Sequence, residues 1–225
     1  TEERSLENAT VKGTAPDGVL NAHAGEAVSA DVNGDITVGT ITGKTVSLKA
    51  DNGSIINGLD ESEKDKGNIN ASVIELESTG FNTRIGEEND PLSVRITKNA
   101  GYTEALNADA DGDIFLEVLN TPKDEVSKVQ IDKIESVNGD VDIISHTDIE
   151  AEKIKAEDGT TSYTIDGNLT VFENRSAETV LDVKGSAFIQ SEIDLNIVEG
   201  TVGGDAFFTS GEELIMKELD IQGTL

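Results

Sequence analysis

The chain has 225 residues, 45 acidic against 17 basic side chains for a formal charge of −28, and no cysteine. Such a balance repels a polyanion such as DNA, and the absence of cysteine removes disulfides and thiolate metal sites. No apolar run approaches the ~20 residues that cross a bilayer as a helix.

In chain order, residues 1–30 read as an N-terminal cap or partly disordered segment. The chain starts at "TEERSLENAT" without Met or a signal peptide, which predicts an excised fragment. From Asp31 a signature appears, "DVNGDITV", and it returns as "SVNGDVDI" from Ser136. Gly followed by Asp, Asn or Ser and then an apolar residue occurs at Gly34, Gly53, Gly67, Gly112, Gly139, Gly167, Gly185 and Gly204, with a related Gly223. The intervals 34–53, 139–159, 167–185, 185–204 and 204–223 are all 18 to 20 residues, the mark of a repeat. Residues 59–111 are irregular, with turn-rich runs "GLDESEKDKGN" and "RIGEENDP" that read as loops inserted between repeats.

Within each unit the second and fourth positions after the glycine are apolar in seven of eight cases, as in Ile36 and Val38 or Leu169 and Val171. Side chains alternate across a strand, so these positions share one face and point into a core. A second alternating run follows, as in "TVSLKA" and "SEIDLNI", and "DIEAEKIKAEDG" (148–159) takes the same slot as a strand. Units of about 19 residues, each too small to bury its own apolar face, predict an all-β parallel β-helix. The β-helix is placed at residues 31–225, and the chain should make roughly ten turns with a length on the order of 50 Å.

"NADADGDIF" (107–115) matches the first half of an EF-hand loop at Asn107, Asp109, Asp111, Gly112 and Ile114. The twelfth position, however, holds Val118, and the flank alternates like a strand. It therefore reads as a turn. In the same way Asp35, Asp113, Asp140, Asn168 and Asp205, each directly after a glycine, read as corner residues whose short side chains bond the turn backbone, and Asn68 is placed with them. The third position faces outward and holds Phe115, Phe188 and Phe207. Phe188 and Phe207 are one 19-residue coil apart, so they should stack into an exposed aromatic patch, a possible interaction surface.

Neither His23 nor His146 has a partner at metal-ligand or triad spacing. Parallel β-helices include enzymes acting on acidic polysaccharides, but substrate-binding arginines are few here: Arg4, Arg84, Arg95 and Arg175. The expectation is a non-enzyme with no cofactor and no metal.

The runs "VNGDITVGTITGKTVSLKADNGSI", "VNGDVDIISHTDIEAEKIKAEDG" and "IDGNLTVFENRSAETVLDVKGSAFI" resemble the coils of filamentous-haemagglutinin-like bacterial adhesins. The resemblance covers most of the chain from Gly34 onward. It implies a right-handed parallel β-helix within a very long protein exported to the bacterial surface, serving as stalk and attachment scaffold for a host or bacterial surface protein or glycan. The alternatives are a polysaccharide-active β-helix enzyme and a passive structural or surface-layer protein.

Overall fold

The computed structural model describes residues 6–14, 18–98, 103, 105–120 and 128–225. Among the described residues eighteen strands join in a single sheet wound into a parallel β-solenoid of about ten coils. The strands, in order, are β1 (Leu6–Thr14), β2 (Val19–Asn33), β3 (Ile36–Thr42), β4 (Thr45–Asp51), β5 (Ile55–Asn57) and β6 (Ile69–Ala71). Next come β7 (Val73–Thr79), β8 (Leu92–Ile96), β9 (Ala105–Ala110), β10 (Ile114–Val118), β11 (Lys128–Ser136) and β12 (Val141–Ser145). The last six are β13 (Asp148–Ile165), β14 (Leu169–Val183), β15 (Ala187–Ser191), β16 (Leu195–Val202), β17 (Ala206–Ser210) and β18 (Leu214–Ile221).

One core row shows how the coils are held. Ala9, Val28, Val46, Ile74, Leu106, Ile131, Ala151, Val171, Ile189 and Phe208 are successive register partners, one from each coil. From Val28 to Phe208 every member is buried. A residue contributes to this row only by lying over its equivalent one coil earlier, so burial and backbone pairing reinforce each other. A second row begins Ile36, Ile55, Ile85, Ile114 and Val141, then continues as Thr161 and Thr179. Threonine keeps the branched shape there, and the Thr161 hydroxyl is buried without a hydrogen-bond partner. Polarity also enters the core at Asn174, which continues a row containing Ile134 and Ile154. Its amide is satisfied: Tyr163 OH donates to Oδ1 at 2.6 Å, and Nδ2 donates to Ser176 and Thr179 at 3.1 Å. Burial pushes the Tyr163 hydroxyl well above its ordinary pKa.

The single alignment of all eight glycine units is corrected. Gly34, Gly53, Gly112, Gly139 and Gly159 occupy one corner of the solenoid, ahead of the Ile36 row. Gly167, Gly185, Gly204 and Gly223 occupy another, ahead of a row formed by Leu169, Ala187 and Ala206. Gly67 belongs to neither, since it ends a short 3-10 helix (Glu61–Lys66) inserted between β5 and β6. Outside the coils lengthened between Val46 and Ile131 the coil length stays near 19 residues; what changes is which corner carries the glycine. Both corners need the same chemistry, a residue without a side chain where one turn lies on the next. At Gly53 an added Cβ would sit 2.5 Å from Asp35 N and closer still to the Gly34 carbonyl.

The irregular section contains regular coils with additions. β7 and β9 stay in register with β4, while the 3-10 helix and residues 86–91 form excursions. Strands β1 and β2 begin ahead of residue 31 and stack on the coils that follow. "NADADGDIF" is the corner between β9 and β10: Asp109 pairs with Lys133 at 2.6 Å, and Asp111 accepts from Asn82 N at 2.9 Å. Among the described residues no helix is long and apolar enough to cross a membrane.

Candidate functional site

The outer surface carries an aromatic ladder near the C-terminal end. Phe188 lies between buried Ala187 and Ile189, and Phe207 between buried Ala206 and Phe208, so strand alternation turns both rings outward. Their centroids are 5.4 Å apart and the rings are inclined by 8°. Phe172 adds a third ring at 6.1 Å from Phe188, tilted by 59°. Phe207 is 56% exposed and Phe172 39%. Phe115 is not part of this cluster. It sits on β10, paired with Asp142 of β12, on a face that does not include β15 or β17. Of the six phenylalanines only Phe208 joins the core; Phe81, in the corner after β7, is 89% exposed.

Phe172 was not legible from the period. It precedes Phe188 by 16 residues and lies in a stretch of β14 with no register partner in the next coil. A reading by nearest outward neighbour, rather than by coil length, would have found it.

The corner residues form two ladders of side chain to backbone bonds. At the first corner Asp35 Oδ1 accepts from Ser54 N at 2.8 Å, Asp113 Oδ1 from Asp140 N at 2.9 Å, and Asp140 Oδ1 from Thr160 N at 2.7 Å. At the second, Asn168 Oδ1 accepts from Ser186 N at 2.9 Å and Asp205 Oδ1 from Thr224 N at 2.8 Å. Each bond reaches one coil ahead, tying coil to coil at positions where the strand ladder is interrupted. Asn68 differs: it is buried, its Nδ2 donating to Val38 O at 2.7 Å and its Oδ1 accepting from Ser93 N at 2.9 Å.

His146 bridges two carboxylates. Nδ1 lies 2.8 Å from Asp166 Oδ2 and Nε2 lies 3.0 Å from Glu117 Oε1, while Lys184 pairs with the other Asp166 oxygen. Glu117, His146, Asp166 and Lys184 thus alternate in sign over four coils. The hydrogen bond to Glu117, then that to Asp166, holds the imidazole pKa above its ordinary value, and Lys184 and then His146 hold Asp166 below its own. On β12, burial raises the Asp142 carboxyl, with Glu88 and Asp140 adding repulsion.

The arginines are placed differently from one another. Arg95 is spent on structure: Nη1 donates to Lys66 O at 3.0 Å and to Asn70 Oδ1 at 2.9 Å, and Nη2 donates to Asp65 O at 3.0 Å, clamping the inserted 3-10 helix. Arg84 pairs with Glu87. Among the described residues Arg175 pairs only with Glu173, at 3.8 Å. Arg4 lies outside the described residues.

No family model, curated protein or solved structure matches the chain.

Proposed function

We propose that the chain is a segment of a secreted bacterial surface adhesin of the filamentous-haemagglutinin-like type, an extended scaffold that attaches to host or other surfaces. The observation that carries this reading is the outward ladder of Phe172, Phe188 and Phe207 on a solenoid whose ten-coil core needs none of these rings. Rigid aromatic faces give large contact area for little ordering cost, which suits protein or sugar contacts. A stacked-coil rod holds such a patch away from its point of attachment without further domains. The reading assigns the chain no catalytic step and an extracellular or cell-surface location.

The test is adhesion of the labelled chain to epithelial cells and to bacterial cells under flow. The chain should be retained, and Phe188→Ser with Phe207→Ser should abolish retention while leaving a cooperative melt. Absence of retention on every surface, or retention unchanged by the double substitution, would overturn the reading.

A further inference from the structure

The register ladder between the eighth and ninth coils lapses. Val171 pairs with Ile189, and pairing resumes only at Thr179 with Ile197. Over the intervening stretch the ninth coil turns away through Ile193 and Asp194, leaving a groove of about 360 Å³. Its walls include Lys155, Arg175, Ala177, Ile193, Asn196 and Ile215. Lys155 and Arg175 are register partners, so two cations stand on adjacent coils of an otherwise acidic rod. Lys155 is neutralised by Glu135 and Glu157, both at 2.9 Å. Among the described residues Arg175 has only Glu173, 3.8 Å away and shared with Lys153 at 3.6 Å. Glu157 and Asp194 also line the groove, but Glu157 is paired with Lys155 and Asp194 Oδ1 accepts from Glu213 N at 3.0 Å. Asn196 donates to Ala177 O at 3.1 Å, fixing that side of the wall, while its Oδ1 is buried behind it. Ile193 is 40% exposed beside these polar groups.

We propose that this groove binds a single sugar carboxylate, that of a sialic acid or a hexuronic acid. The Arg175 guanidinium takes the carboxylate through its planar fork. Ile193 and Ile215 lie against the apolar face of the ring. The size is that of a small-ligand site, at the low end of the usual range. One carboxylate suits the groove better than a polyanion, because the surrounding rod repels extended negative charge. The proposal rests on the attachment reading and gives it a ligand class.

The test is titration of the whole chain, followed by NMR at about 0.15 M salt so that distant charges are screened. The probes are 3′-sialyllactose, a glucuronic-acid-ended trisaccharide, lactose and a hexaglutamate peptide. Either or both acidic sugars should bind, the pair telling sialic from hexuronic acid, and lactose should not. Arg175→Gln should weaken binding at least about tenfold and Arg175→Lys less, since only the fork makes two parallel bonds. Equal binding of lactose, stronger binding of the peptide, no binding of either acidic sugar, or indifference to Arg175→Gln would overturn the proposal. The probes are free in solution, so the outcomes separate. A chain that adheres to cells through its phenylalanines yet ignores both acidic sugars loses the inference and keeps the proposed function. A chain that binds the sugars but never adheres does the reverse.

Discussion

The rings of Phe188 and Phe207 lie nearly parallel, 5.4 Å apart, at equivalent positions of consecutive coils. Their spacing is set by the coil rise plus a small offset, so the stack is a product of the backbone and not of a pocket built around it. Replacing both by Ser removes one stacked pair, worth about 0.5–1.5 kcal/mol beyond area burial. The melting midpoint should fall by a few degrees in a chain that still unfolds cooperatively. A loss of fold would mean that the ladder is part of the core.

Val171 and Thr170 test the faces directly. Val171 is fully buried between Ala151 and Ile189, whereas Thr170 sits outward between Glu150 and Phe188. Val171→Asp places a carboxylate in an apolar row and should cost several kcal/mol; Thr170→Asp should cost under about 1 kcal/mol. Equal shifts in thermal midpoint at the two sites would contradict the assigned alternation.

Gly53 bears on the corner. Any Cβ there meets backbone of the preceding coil, the Gly34 carbonyl and Asp35 N, and backbone cannot rotate aside as a side chain can. Gly53→Ala should destabilise by more than the ~1 kcal/mol expected of a tolerated core overpacking. Asp140→Ala, which only removes the bond to Thr160 N, should cost about 1 kcal/mol. Urea unfolding of the two variants would rank them, and the reverse order would show that the corner relaxes freely.

His146 predicts a pH dependence. Its folded pKa is raised, so the stability it contributes is complete below its unfolded value near 6.5 and is lost as pH climbs through the folded value. Asp166 has the opposite sign: its folded pKa is lowered, so its contribution is present above its unfolded value near 3.8 and is lost as pH falls through the folded one. The Glu117–His146–Asp166 clamp is therefore tightest at mildly acidic pH, and the melting temperature should decline from about pH 6 toward pH 8. His146→Gln should flatten that decline. An unchanged slope in the variant would assign the pH dependence to the general accumulation of negative charge.

Much of this architecture was legible because a period of two is imposed by the strand itself. Ile114, Leu116 and Val118 alternate with Phe115 and Glu117, and burial follows the same beat. Which corner a glycine occupies was not legible, because both corners ask for the same missing side chain and the same short oxygen acceptor after it. Gly139 and Gly167 look equivalent in sequence yet lie at different corners. Contacts across coils of unequal length were hidden for a related reason. Glu117 precedes His146 by 29 residues and Asp166 follows it by 20, since the connection from β10 to β11 lengthens the first of these two coils and not the second. The Arg175 groove was hidden because it depends on strands that fail to pair, which no local pattern announces.

The stacking of coils also fixes how densely charge is laid along the rod. Ten coils at ~4.8 Å per step give a length of roughly 48 Å. The 28 net negative charges then fall on the order of one per 1.7 Å of axis, close to the linear density of double-stranded DNA. A rod so charged gathers a sheath of condensed counterions, as a nucleic acid does. A cationic partner that approaches its flank displaces these ions into solution, so such an encounter is driven by their release and weakens steeply with added salt. The protein is therefore a polyelectrolyte in its physics, with a folded interior and a mobile ionic coat.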